Sequence, residues 1–451
     1  MHAQRVRKFR CDTSVRRRLH AGGWRALSIT IGSQVLLPNV RELHWHDDDS
    51  SIFPFIHLCT GTQIHTLKLR LTGPPAIWNT LLSTLSHQYP FLTRVNLKLY
   101  SFCDDRGPAY AKGVEAAVCG WNHLRSLSVD ALSPKAWTHV ATLDMLEDLK
   151  FQIDFDKFPP DIPQWERCRI FPLLRTLKVT SRTIAFSTAL LTHMQPNQYL
   201  TSINLNWSEG SSFSQLYDLF SAMHDHCHHS SLTSMHVEGV LPKEGMGRSH
   251  VQPLYLKPTF AFSNLTDVFL DFFGSLDLDD ESMRDIAMSW PCITCLWLGS
   301  SCSGDQDIPS ITLLGLMPFA QYCPKLHHLT IQIDAENMPE MSLEKLVSSE
   351  ALGVLNVLDS PLDDSLLVAA FLSDVFPGLK CIDASPHTNY VKGWIQVQDA
   401  MSVFVLVRSQ ERERARKVYT LPSEKNFATS SQPSKSFTVS NEPCSYLHHC
   451  F

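Results

Sequence analysis

The sequence predicts an α/β solenoid, with a curved parallel sheet inside and helices outside, and three observations predict it. A short apolar phrase recurs along most of the chain at a nearly constant spacing. Segments with helical period lie between its copies. At 451 residues the chain also exceeds the size at which one core keeps growing, so it must divide or extend into an array.

The phrase is an apolar residue, two free positions, an apolar residue, one free position and a third apolar residue. It stands first as Val40–Leu43–Trp45, Ile64–Leu67–Leu69, Leu92–Val95–Leu97, Leu124–Leu127–Val129 and Leu146–Leu149–Phe151. It continues as Leu174–Leu177–Val179, Leu200–Ile203–Leu205, Leu232–Met235–Val237 and Leu265–Val268–Leu270. Ile293–Leu296–Leu298, Leu326–Leu329–Ile331, Leu352–Leu355–Val357 and a decayed Leu379–Ile382–Ala384 follow, and Val6–Phe9–Cys11 is a further copy at the start. From Val40 to Leu379 the steps run from 22 to 33 residues, the range of leucine-rich repeats or slightly above it.

The second and third apolar residues are two apart, so on a short strand both point to the same, buried side. The positions between and beside them point to solvent. Helical period follows in Trp78, Leu81, Leu82 and Leu85, in Leu216, Leu219, Phe220 and Met223, and in Leu367, Ala370, Phe371 and Val375. Each strand–helix unit has an apolar face that only a neighbouring unit can cover, which forces stacking. Proline often precedes the phrase, at Pro38, Pro90, Pro172, Pro324 and Pro377. It ends the preceding helix and fixes the turn into the strand, where its missing N–H is harmless.

The repeats are expected to occupy residues 1–389. Trp394, Val397, Met401, Phe404 and Val405 then form one apolar stripe ahead of the charged run Arg408 to Lys417. That pattern predicts a capping helix over 390–418, buried at its start and solvated at its end. Residues 419–451 turn to Ser, Pro, Lys and Asn and read as a disordered tail. Three insertions, 154–170, 240–258 and 299–310, are longer than ordinary connections and are expected to be loops.

Composition narrows the function. A net charge of −6 gives no general attraction to nucleic acid or to an anionic membrane. The basic cluster from Arg5 to Arg25 is not followed by an apolar stretch, so it opens no secretory signal. Thirteen irregularly spaced cysteines then read as reduced thiols, the location as cytoplasmic or nuclear, and the sequons at Asn206 and Asn264 as unmodified.

No catalytic, cofactor or metal site is expected. The chain has no G-x-S-x-G, no H-E-x-x-H and no Walker-type loop. His224, His226, Cys227, His228 and His229 are crowded too tightly for good tetrahedral zinc coordination and read as a solvated helix end. Cys292 and Cys295 form a C-x-x-C with no second pair at a usable distance.

A binding surface is legible instead. The residue between the last two apolar positions should form one column across the open face of the sheet. In order it is His44, Lys68, Asn96, Ser128, Lys150, Lys178, Asn204, His236, Phe269, Trp297, Thr330, Asn356 and Asp383. Phe269 and Trp297 break the polar rule on strands about 4.8 Å apart. Asp267 and Asp271 frame the phenylalanine, and His328 lies on the next strand. Two readings are open: an exposed hot spot for a partner, or core beneath the 299–310 loop. Lys68, Arg70, Arg94 and Lys98 give the same face a basic patch, or else an ordinary solvated surface.

The stretch Leu36-Leu37-Pro38-Asn39-Val40-Arg41-Glu42-Leu43-His44-Trp45 resembles the repeat region of fungal F-box proteins with leucine-rich repeats. The closing segment Trp394 to Arg416 is similar to their C-terminal helix. The resemblance implies a protein-interaction module that presents a substrate to a cullin–RING ubiquitin ligase. The F-box itself is not visible here, since repeat-like sequence begins near Val6, so a Skp-type adaptor is expected only where an F-box is encoded upstream. The alternative is a ligase-independent scaffold that holds a partner protein on the same face. Neither reading calls for an enzyme, a nucleic acid or a membrane.

Overall fold

Each copy of the apolar phrase forms a parallel strand in a computed structural model of the chain. It describes residues 3–12, 19–32, 34–99, 107–152, 170–240, 252–273, 278–299, 309–338, 347–386 and 388–419. The chain falls into two compact units, Met1–Leu278 with Met288–Gly304, and Asp279–Ala287 with Asp305–Phe451.

The first unit carries strands β1 (Lys8–Asp12), β2 (Glu42–His46), β3 (Thr66–Leu71), β4 (Arg94–Leu99), β5 (Ser126–Val129) and β6 (Asp148–Gln152). It continues with β7 (Thr176–Ser181), β8 (Ser202–Trp207), β9 (Ser234–Val240), β10 (Asp267–Phe273) and β11 (Cys295–Leu298). The second unit carries β12 (His328–Ile331), β13 (Val354–Asn356) and β14 (Cys381–Asp383). Within each unit the strand order is the chain order and all pairing is parallel. The chain is an α/β leucine-rich-repeat solenoid.

The register explains why the phrase has its form. Leu43, Leu67, Val95, Leu127, Leu149, Leu177, Ile203, Met235, Val268 and Leu296 stand opposite one another from strand to strand. The third apolar residues form a second such column, and both columns are buried from β2 to β11. Val6–Phe9–Cys11 makes β1 and is only half-buried. A one-residue slip would send every one of these side chains to solvent, which pins the register.

Tight turns lead into the strands. The amide N–H groups of Val40, Leu92, Leu174, Ile293, Leu326 and Leu379 donate to the carbonyls of Leu37, Tyr89, Phe171, Trp290, Cys323 and Phe376. A proline is the second residue of each of these β-turns, where its fixed φ suits the bend.

Helices cover the buried columns. Those of the first unit are α1 (Ala21–Ile31), α2 (Pro75–Gln88), α3 (Gly107–Val118), α4 (Pro134–Ala141), α5 (Ile184–Thr192) and α6 (Phe213–His226). α2 buries Trp78, Leu82 and Leu85, and α6 buries Leu216, Leu219, Phe220 and Met223. α7 (Asp280–Ser289), α8 (Met317–Tyr322), α9 (Ser365–Val375) and α10 (Val391–Tyr419) follow. In α9 the buried stripe is Val368, Ala369, Phe371, Leu372 and Val375. It is turned from the stripe expected from the sequence, and Leu367 is exposed.

α10 covers the last repeat as the C-terminal cap. Trp394, Val397 and Met401 are buried, while Phe404 and Val405 are half-buried. The Gln398 amide substitutes for a further strand at the edge of β14: its oxygen accepts from the Ile382 N–H, and its NH₂ donates to the Lys380 carbonyl at 3.2 Å. Arg408 grips Asp374 through two nitrogens, each at 2.6 Å. Most of the three expected insertion loops, and residues 420–451 of the expected tail, lie outside the described residues; Pro253–Ala261 is a 3-10 helix. Among the described residues no helix is long and apolar enough to cross a membrane.

Candidate functional site

The positions between the buried pairs form the column that the phrase predicts. From β2 to β11 the register aligns His44, Lys68, Asn96, Ser128, Lys150, Lys178, Asn204, His236, Phe269 and Trp297. In the second unit Thr330, Asn356 and Asp383 align in the same way.

Phe269 and Trp297 are half-buried, between the two extremes expected for them. Their ring centroids lie 5.1 Å apart with 28° between the planes. His236 joins them from β9, its ring 4.1 Å from Phe269 and nearly parallel at 7°. Three strands thus contribute one stack of three rings. The offset geometry expected of stacked π systems adds about 0.5–1.5 kcal/mol per aromatic pair beyond area burial.

Polar groups frame the stack. The Trp297 indole N–H donates to the Gly299 carbonyl at 3.1 Å. Glu238 accepts from the Asn206 amide at 3.0 Å and lies 3.3 Å from His236 Nε2. Asp271 stands opposite Glu238 in the row above the rings, and Asp267 holds the row below. Gly239 follows Glu238 because the indole of buried Trp207 lies where a Cβ would stand. His328 sits on β12 in the second unit, 3.3 Å from the Thr330 hydroxyl.

The basic patch is partly neutralised. Arg70 pairs with Asp48 at 3.0 Å, and Lys98 with buried Asp130 at 2.8 Å. Asp130 also accepts the Leu99 N–H, while its own N–H donates to the buried hydroxyl of Tyr110. Lys98 therefore belongs to a structural node and not to an open cation surface. Lys68 and Arg94 have no carboxylate within ion-pair distance among the described residues. The stronger cation pair is Lys150 and Lys178, opposite each other on β6 and β7 and both exposed. Partial desolvation of the ammonium against the sheet, and then Lys150 beside it, lowers the pKa of Lys178, with Glu238 opposing the shift. These two lysines, Asn204 and His236 share the column with Phe269, and that shared position is the sequence signal that finds them.

The histidines around α6 bond locally. His224 meets Asp225 at 2.9 Å, His229 Nε2 meets the His224 carbonyl at 2.9 Å, and His226 meets the Met194 carbonyl at 3.2 Å. Cys292 and Cys295 are not joined by a disulfide. A second exposed apolar feature runs along the turns into β4 to β8, where Phe91, Met145, Leu173 and Tyr199 are exposed. Each is a single residue per turn; Phe91 stacks on His123 at 5.3 Å and Tyr199 on His228 at 4.5 Å, so these two form pairs of rings and not a stack of three.

No protein-family profile and no curated protein sequence matches the chain. Among solved structures it is similar to the Rad7 and Elc1 complex of yeast, at 14% identity over 83% of this chain and 75% of that chain, with a TM-score of 0.40. It is also similar to the leucine-rich-repeat-containing protein LegL7 from Legionella pneumophila, at 11% identity over 79% of this chain and 96% of that one, with a TM-score of 0.35. The fold rests on the strand register of this chain.

The face carries a pH dependence. Burial holds His44, His46 and His236 below the ordinary imidazole value of 6.5; Lys68 and Arg70 reinforce it for the first two, and Glu238 opposes it for His236. The folded state then binds fewer protons than the unfolded chain. Stability is therefore full above 6.5 and falls as pH drops from 6.5 through the folded values. Urea midpoints should be lower at mildly acidic pH than at neutral pH, and His236→Asn should shrink the difference. An unchanged midpoint would show that these rings titrate freely.

Proposed function

We propose that the chain is a non-catalytic receptor that holds a partner protein on the open face of its sheet, as the substrate-recognition repeats of a ubiquitin-ligase F-box subunit do. The three-ring stack in an otherwise polar column supports this reading. Partly exposed aromatic anchors ringed by polar groups are the usual makeup of a binding hot spot. The partner-contact residues proposed in the first unit are Phe269, Trp297, Asp267 and Asp271, with Lys68 and Arg94 towards β3 and β4; His328 on β12 is proposed separately, for the second unit. Arg70 and Lys98 contribute to that end only as members of ion pairs.

Photo-crosslinking tests the face directly. A benzophenone side chain placed at Asn96, a half-buried column position on β4, should capture partner protein in the native cell, whereas the same group at Tyr217 on α6 should not. Crosslinks confined to Tyr217 would move the binding surface to the helices. Co-purification of a Skp-type adaptor with the chain tests the ligase assignment separately. A face that crosslinks without any adaptor would mark a ligase-independent scaffold.

A further inference from the structure

We infer that the face selects an extended acidic segment: one acidic residue seated at Lys150 and Lys178, and an apolar or aromatic residue four to six positions away at Phe269 and Trp297. This rests on the open sheet face being the binding surface.

The spacing follows from the register. Lys178 on β7 and Phe269 on β10 occupy the same column three strands apart, and Trp297 is one strand further. At about 4.8 Å per strand these separations are roughly 14 and 19 Å. An extended peptide advances about 3.3–3.6 Å per residue, so it spans them in roughly four to six residues.

Charge complementarity names the first anchor. Lys150 and Lys178 repel each other across adjacent strands; among the described residues no carboxylate lies within ion-pair distance of either, and the more distant Glu238 offsets that repulsion at Lys178 only in part. An incoming carboxylate removes that repulsion and stabilises the disfavoured charge on Lys178. Between the anchors the column offers Asn204 and His236. The Asn204 side-chain oxygen is buried and accepts no hydrogen bond, so turning it towards a peptide N–H breaks none.

The same features disfavour a nucleic acid. Bases need free ring faces on which to stack. Here the faces of Phe269 are covered by His236 on one side and Trp297 on the other, which leaves edges for an aliphatic or aromatic side chain. Asp267, Glu238 and Asp271, in the rows beside the rings, would also repel phosphates.

Random linear peptides displayed on phage, selected on the immobilised full chain, test the inference. The expected enrichment is an acidic residue four to six positions from Leu, Phe, Tyr or Trp. A synthetic peptide of the enriched sequence should lose about tenfold or more in affinity for Lys150→Glu/Lys178→Glu and regain it when its acid is replaced by lysine. Lys150→Gln/Lys178→Gln, which reverses no charge, should give a smaller loss in the same direction. Enrichment without the acid, no enrichment over the charge-reversed variant, or binding of single-stranded oligodeoxythymidine in place of peptide would overturn it. If cellular partners are lost from Phe269→Ala/Trp297→Ala but retained by the lysine variant, the face stands and the acid rule falls. If both variants keep every partner, the face itself falls.

Discussion

A single carboxylate in the buried column, Leu177→Asp, is expected to unfold the first unit. Leu177 is fully buried between Leu149 and Ile203 on the flanking strands. Removing a buried leucine side chain costs about 2–5 kcal/mol. An unpaired carboxylate in its place costs several more, so the sum is comparable with the whole stability of a typical domain, about 5–15 kcal/mol. A stacked array has no separate core to retreat to, because each strand is covered by its neighbours. Leu127→Asp, between Val95 and Leu149, should behave alike. The control lies one residue away: Lys178→Asp faces solvent, puts its charge beside Lys150, and should change stability by no more than about 0.5 kcal/mol. Urea unfolding followed by circular dichroism separates the two positions. A native midpoint for Leu177→Asp would mean that the register is wrong.

The strands were legible because the phrase encodes burial directly. Two apolar residues two apart can face one side only in an extended chain, and the proline two positions before many copies marks the turn that starts it. The position between them then had to lie on the opposite side of the sheet, and it forms one column there from His44 to Trp297, although His44 and Ser128 are themselves buried. What escaped was the meaning of the neighbouring row. Asp130 follows Val129 as Lys98 follows Leu97, so reading the next row across would have shown that this lysine is matched. The pairing of Asn206 with Glu238 lies in the same row. His236 carries no sequence signal of its own, because a histidine in a polar column looks ordinary until its ring lies flat on Phe269. Helix faces were less legible than strand faces. In α9 nearly every residue is apolar, and periodicity alone does not choose between Leu367 and Val368. The division into two units left no trace in the phrase, which keeps its spacing from Leu265 through Leu326.

Replacing both Phe269 and Trp297 by alanine should separate binding from folding. A core position would lose about 3–5 kcal/mol for each large aromatic removed. These rings are half-buried and lie on the open face, so each should cost well under that, and the melting temperature should fall by several degrees only. Partner binding should suffer more. Truncating a hot-spot aromatic costs about 2 kcal/mol or more, roughly thirtyfold in affinity, and the pair removes both anchors at once. The single variants should differ in order. Phe269 is the middle ring, so its loss strips a stacking partner from His236 and from Trp297 together, whereas Trp297→Ala leaves the contact between His236 and Phe269 intact. Phe269→Ala should therefore be the more damaging, and Phe269→Leu, which keeps much of the volume without the π face, should fall between it and the native chain. Thermal melts and partner pull-downs on the same preparations decide the matter. A double variant that melts like a core mutant would make the rings structural. One that melts normally and holds every partner would leave the stack idle and shift attention to the exposed residues Phe91, Leu173 and Tyr199 on the strand-entry turns.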